Sequence, residues 1–167
     1  HFAMSRDADT LRASHEAAAG AVREALDAGQ DVAMLNLGDV SIYATYGYLE
    51  EILKAQGYPT ARIAGVPSFC AAAAALGRSL TDGMEAPLTL APGRHAEQVL
   101  DAPGAKVLMK SGRQLPAALA ALRRRGLLEK SAMACNCGLP EQTLWPDLSS
   151  YDPARPAGYF TTIIVKE

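Results

Sequence analysis

Four short segments each combine a turn-forming or small residue with a hydrogen-bonding side chain, directly after an apolar run. They are Leu37-Gly-Asp-Val-Ser-Ile-Tyr43, Gly65-Val-Pro-Ser-Phe-Cys70, Met109-Lys-Ser-Gly-Arg113 and Cys135-Asn-Cys-Gly-Leu-Pro140. In open α/β sheets ligands settle outside the carboxyl ends of strands, so loops placed this way are expected to converge on one crevice. Gly38 would let a ligand approach the backbone, and Asp39 offers a carboxylate to an amine or a hydroxyl. The competing reading makes Gly-Asp a turn and an N-cap for the helix after it, and composition by itself favours that one.

Nucleophilic catalysis finds little support. His15 lies inside a helical pattern and His95 near a helix start, and neither has a cysteine, serine and carboxylate in a recognisable arrangement. No catalytic residue is assigned on this basis. In a strand the thiols of Cys135-Asn-Cys137 would share a face, but structural metal sites use C-x2–4-C with a second ligand pair. A packing or site-wall role is expected, and no metal. The run Arg123-Arg-Arg125 reads as a solvated helix end with some capacity to meet an acidic substrate.

The elements that must position these loops follow from periodicity. Leu11, His15, Ala18, Val22, Ala25 and Leu26 recur at helical spacing over Thr10 to Leu26, before Ala28-Gly29. Asp31 to Leu37 is a short apolar run without strict alternation, as in a strand buried on both faces of a parallel sheet. Ser41 to Gln56 resumes the helical pattern, Thr60 to Ile63 reads as a second strand, and Ser68 to Leu76 as an alanine-rich helix. Asp, Gly, Glu and Pro crowd into Thr81 to Pro87, which places a hinge there and divides the chain into lobes 1–84 and 85–167. Beyond it the pattern gives strands at Pro87 to Leu90, Lys106 to Met109, Ser131 to Cys137 and Tyr159 to Val165. Helices are expected at His95 to Asp101 and Gln114 to Arg125, and Trp145 to Pro156 as a surface connection. The expected class is α/β with a mostly parallel sheet.

The chain has 167 residues with sixteen Lys+Arg against eighteen Asp+Glu. A net charge of −2 lacks the positive field that counterion-release binding to nucleic acid normally needs, so no nucleic acid partner is expected. No apolar stretch approaches the roughly 20 residues that cross a bilayer, and no leader opens the chain. Cys70, Cys135 and Cys137 are odd in number and too few for a disulfide framework. A cytoplasmic protein without membrane association is the expectation.

Six motifs in order carry a resemblance. Phe2-Ala-Met-Ser-Arg-Asp7 resembles the Phe-Pro-Met-Thr-Arg-Asp stretch of precorrin-2 C20-methyltransferases, and Leu37 to Thr45 their Gly-Asp-Pro-x-x-Tyr-Ser-Thr loop. Gly65 to Cys70, Leu108 to Arg113, Asn136 to Glu141 and Tyr159 to Val165 continue the order across the chain. The sequence is thereby similar to the tetrapyrrole methylases and, within them, to the C20 enzymes acting on precorrin-2 or its cobalt complex. Val40, Ala64 and Ala3 stand where the family has Pro, which loses backbone rigidity without deleting a polar group.

The resemblance implies the two-lobed α/β tetrapyrrole methylase fold, with an N-terminal lobe that lacks its first strand and glycine-rich loop. It implies S-adenosylmethionine as co-substrate in a cleft, a tetrapyrrole substrate beside it, and a homodimer. Carried over residue by residue, the cofactor would touch Leu37, Gly38, Asp39 and Ile42, then Pro67 and Ser68, then Met109 and Lys110, then Asn136 and Cys137, then Thr161 or Thr162. Arg6, Lys110 and Arg113 are the cations expected to meet the substrate's acidic side chains. The implied reaction is methylation of C20 in cobalamin biosynthesis, with these 167 residues inactive or nearly so because one wall of the cleft is missing. Two other readings stay open: a methylase of the same fold acting at another corrinoid position or on a ribosomal RNA ribose, and a fragment that binds cofactor without catalysis.

Overall fold

The computed structural model describes every residue except His1, Met4, Arg6, Pro156 and Glu167. The chain divides into two compact units, residues 1–67 and 68–167. The alanine-rich helix expected with the first lobe therefore belongs to the second unit, seventeen residues before the hinge composition suggested.

In the first unit, α1 (Ala8–Asp27) begins where the Asp7 carboxylate accepts hydrogen bonds from Thr10 N at 2.7 Å and Thr10 Oγ1 at 2.6 Å. It ends at Ala28, followed by Gly29 in the left-handed region. α1 packs against α2 (Tyr46–Ala55), burying Ala19, Leu49 and Leu53, and the His15 ring stacks on Tyr48 at 4.6 Å. That packing role accounts for His15. α2 is shorter than the periodicity suggests, because the turn at Asp39 and the positive φ of Tyr43 keep residues 39–45 out of the helix.

The strands expected at Asp31 to Leu37 and Thr60 to Ile63 do not form; among the described residues the first unit contains no strand. Both segments run without regular structure and expose Val32, Leu35, Leu37 and Ile63, Leu35 at 92% and Ile63 at 86%, with Val66 exposed just beyond them. The physical reason is pairing: an apolar run becomes a strand only where neighbouring backbone takes up its N–H and C=O groups.

The second unit is built on a five-stranded sheet in the order β1-β2-β5-β3-β4, made of β1 (Leu88–Pro92), β2 (Ala105–Met109), β3 (Ser131–Cys135), β4 (Thr143–Trp145) and β5 (Thr161–Val165). Only β1 and β2 pair in parallel; every other pairing is antiparallel, so the sheet is mixed, which corrects the mostly parallel expectation. β5 enters between β2 and β3 and runs against both, leaving the carboxyl ends of β2 and β3 at the same edge as the amino end of β5. All residues of β2, β3 and β5 are buried.

Alternation divides those residues between two faces. Leu108, Met133, Ile163 and Val165 join the core formed with α4 (Ala96–Val99) and α5 (Leu115–Arg124). α3 (Ser68–Ala75) packs against β5 and β3, burying Phe69, Ala72 and Ala73. Arg124 and Arg125 pair with Glu97, and Arg125 also with Asp101, so most of the arginine run ties α5 to α4. The stretch from Trp145 is more than a surface connection: Leu148 and Tyr151 are buried, and the Tyr151 ring meets Trp145 edge-on at 5.1 Å.

Candidate functional site

The expected site residues fall into two clusters, one in each unit. In the first, residues 37–39 meet Gly65. Asp39 Oδ2 accepts from Gly65 N at 2.8 Å, while Oδ1 accepts from Ser41 N at 2.8 Å and from the Ser41 hydroxyl. The Ser41 hydroxyl and amide, then the Gly65 amide, hold this carboxyl below its ordinary range. Asp39 is thus a clasp between two loops; it is neither the cap of α2, a position held by Thr45, nor an unengaged acceptor. Each glycine answers its own requirement: Gly38 holds φ +96°, and a Cβ on Gly65 would lie 2.3 Å from the Gly38 carbonyl oxygen. Leu37 is exposed beside them, and Ile42 is half-buried.

Residues 58–67 have no ladder hydrogen bonds, and side chains hold them instead. Tyr58 donates to Asp27 at 2.6 Å and Tyr46 to the Ala61 carbonyl at 3.3 Å. The main anchor is Glu50, buried on α2, which accepts from Arg62 Nε at 2.8 Å and a second Arg62 nitrogen and pairs with Lys54 at 2.9 Å. The Arg62 guanidinium first, and Lys54 after it, lower the Glu50 pKa to about 2. Sequence reasoning missed Glu50 because its partner lies twelve residues away, beyond any helical spacing.

The second cluster sits at the sheet edge where β2 and β3 end and β5 begins. Lys110 and Asn136 are the first residues after β2 and β3, and both take positive φ, 53° and 50°. For L-residues that conformation costs about 1–2 kcal/mol each, so the surroundings must impose it. Ser111 N donates to the Thr161 carbonyl at 3.0 Å and Asn136 N to the Phe160 carbonyl at 2.9 Å, locking both turns to the entry of β5. Met109, Lys110, Asn136, Cys137 and Thr161 therefore lie at one end of the sheet.

Thr161 and Thr162 point to opposite faces of the sheet, and the Thr161 hydroxyl is engaged, donating to Gly158 O at 2.6 Å and lying 3.2 Å from Cys135 Sγ. Burial pushes the Cys135 thiol up, as befits a packing residue. The left-handed turn at Asn136 carries Cys137 off the strand, so the two thiols do not share a face as an unbroken strand would require. Among the described residues no group of three His, Cys, Asp or Glu could hold a metal. Lys110 Nζ lies 5.8 Å from the centre of the exposed Tyr159 ring. His95 is engaged with Arg94 and Gln98. Pro67 is half-buried, and Ser68 opens α3. Arg6 lies outside the described residues, and Arg113 is exposed.

The sequence model of the tetrapyrrole (corrin/porphyrin) methylases matches residues 1–150. The chain belongs to the tetrapyrrole methylase family. It is 31% identical to a cobalt-precorrin-2 C(20)-methyltransferase of Salmonella typhimurium over its whole length, which spans 71% of that relative. A precorrin-4 C(11)-methyltransferase of Rhodococcus erythropolis is 43% identical, over 46% of this chain and 31% of the relative. Among solved structures, a Thermus thermophilus uroporphyrin-III C-methyltransferase complexed with S-adenosylhomocysteine superposes with a TM-score of 0.69 at 17% identity, covering 91% of this chain and 73% of that one. This last likeness shows the fold. In this tetrapyrrole methylase both clusters present turns and main chain, since the Asp39 and Thr161 side chains are already taken. Ser111, buried, and Gly112, whose Cβ would strike the Gly158 carbonyl, belong to the second cluster; only their place in the Met109–Arg113 loop marks them in the sequence.

Proposed function

We propose that these residues serve the transfer of a methyl group from S-adenosylmethionine to C20 of precorrin-2 or cobalt-factor II. The observation that carries the reading is 31% identity, along the whole chain, to a C20 enzyme. Leu37, Gly38, Asp39, Ile42, Pro67, Ser68, Met109, Lys110, Asn136, Cys137, Thr161 and Thr162 are the residues assigned to the donor. The site geometry fits such a ligand through its tight turns: Gly38 and the left-handed Lys110 and Asn136 reverse the chain where strands or loops end. The sulfonium supplies an already activated methyl, so the protein's task is alignment and exclusion of water. Asp39 is a poor base, because three hydrogen bonds hold its carboxylate in the charged form. The proton released from the ring carbon then passes to water or to a substrate carboxylate. Arg113 is assigned to the substrate's acidic side chains, and a homodimer is the proposed working form.

The test gives the native polypeptide that contains these residues a 13C-methyl donor with precorrin-2, with its cobalt complex and, separately, with precorrin-4. NMR is expected to find one label, at C20. A label at C11 would overturn that position and establish the second reading, which the 43% identity to a C11 enzyme favours. Absence of any label would overturn both.

A further inference from the structure

We propose that a cavity beside the second cluster is a carboxylate-arm subsite, with Arg113 and Arg155 as its cations. The cavity, about 270 Å³, lies between the start of α5 and residues 153–155 and 157 and is walled by Pro116, Leu119, Pro153 and Ala157 as well as the two arginines. Among the described residues the other arginine side chains, apart from Arg123, are all engaged by a carboxylate, a carbonyl, an amide or a histidine ring. Two of the three without such a partner therefore line one cavity. A guanidinium is built for bidentate contact with a carboxylate, and the proline and leucine walls suit a short alkyl stem.

Size and connection select the ligand. Pockets for whole small molecules run to about 300–1,000 Å³, so this one suits an arm of a larger molecule. Its wall is continuous with the second cluster: Gly112 follows Lys110-Ser111 and packs against the Gly158 carbonyl, and Ala157-Gly158 lead into Tyr159 and Thr161. A planar polycarboxylate held at the sheet edge would reach the cavity with one acetate or propionate side chain. This assignment rests on the tetrapyrrole reading above, and it adds Arg155, which no motif marks.

The test titrates the protein with a porphyrin octacarboxylate, its octamethyl ester, glutarate and S-adenosylhomocysteine. Arg113→Gln and Arg155→Gln are each expected to weaken the octacarboxylate roughly tenfold, as loss of a charge-assisted contact does. The double variant should be weaker still, and Arg113→Lys with Arg155→Lys intermediate. Arg123→Gln should bind as the wild type does. S-adenosylhomocysteine affinity and the unfolding midpoint should stay unchanged throughout, because both arginines are exposed. Equal octacarboxylate affinity in the wild type and the double glutamine variant would overturn the subsite and leave the tetrapyrrole reading standing. If the double variant lost glutarate alone, the cavity would be a site for free dicarboxylates and the arm assignment would fall. Failure of the wild type to bind either macrocycle would overturn the tetrapyrrole reading and the subsite together.

Discussion

The conformation of Lys110 separates two costs that a single alanine variant would merge. Lys110→Ala and Lys110→Gly both lose the ammonium group and its approach to Tyr159, but alanine still carries a Cβ at φ 53°. Glycine should therefore be the more stable variant by about 0.5–1 kcal/mol, the left-handed penalty less glycine's larger unfolded-state entropy. Urea unfolding of the pair checks this, and an alanine variant at least as stable as glycine would show that Lys110 does not hold a positive φ. Donor affinity should fall in both, if the lysine serves the site. Gly65 makes the complementary case: its Cβ has no room against the Gly38 carbonyl, so Gly65→Ala must part the two loops. A loss of about 1–3 kcal/mol in unfolding free energy is expected, with weaker S-adenosylhomocysteine binding by calorimetry. Gly38, Lys110 and Asn136 were legible as loop residues because each follows an apolar run. The Asp39–Gly65 clasp was not, since it joins residues 26 apart through a backbone amide that every residue but proline possesses.

Among elements, four of the second unit's five strands could be read, the three-residue β4 being missed, and the two strands expected in the first unit do not form. β2, β3 and β5 are five-residue strands of mostly apolar residues whose neighbours lie within the second unit, so the pattern and the pairing agree. Asp31 to Leu37 and Thr60 to Ile63 have the pattern but pair with no strand among the described residues. Strand direction escaped the sequence too, because alternation is the same in a parallel and an antiparallel ladder. With no ladder, residues 58–67 depend on the Glu50–Arg62–Lys54 network, and its pH dependence has a definite sign. A carboxyl lowered from 4.5 to about 2 favours the folded state fully above pH 4.5, and that contribution disappears as pH falls toward 2. Glu50→Gln should thus lower stability near neutral pH and flatten the loss of stability between pH 4.5 and 2. Thermal unfolding across that range measures it; an unchanged slope in the variant would remove Glu50 from the anchor.

At the scale of the molecule, burial is uneven, and association should follow the uneven part. Val32, Leu35, Leu37, Ile63 and Val66 are exposed on backbone whose donors and acceptors form no ladder, whereas β2, β3 and β5 of the second unit are buried throughout. Unpaired extended backbone bearing apolar side chains is a template for another chain, and the 167-residue chain should self-associate through it as concentration rises. Because contacts of that kind are apolar and main-chain, added salt should not reverse the association, as it would for an ion-paired interface. Leu35→Lys and Ile63→Lys are suited to test the origin: at 92% and 86% exposure neither residue contributes to a core, so the variants should keep their unfolding midpoints. Sedimentation velocity should show the wild type shifting with concentration to species larger than a dimer and the double variant growing no larger than the proposed homodimer. Association that persists undiminished in the double variant would move the contact to another surface, and a wild type that grows no larger than a dimer at every concentration would show that these segments do not seek a partner.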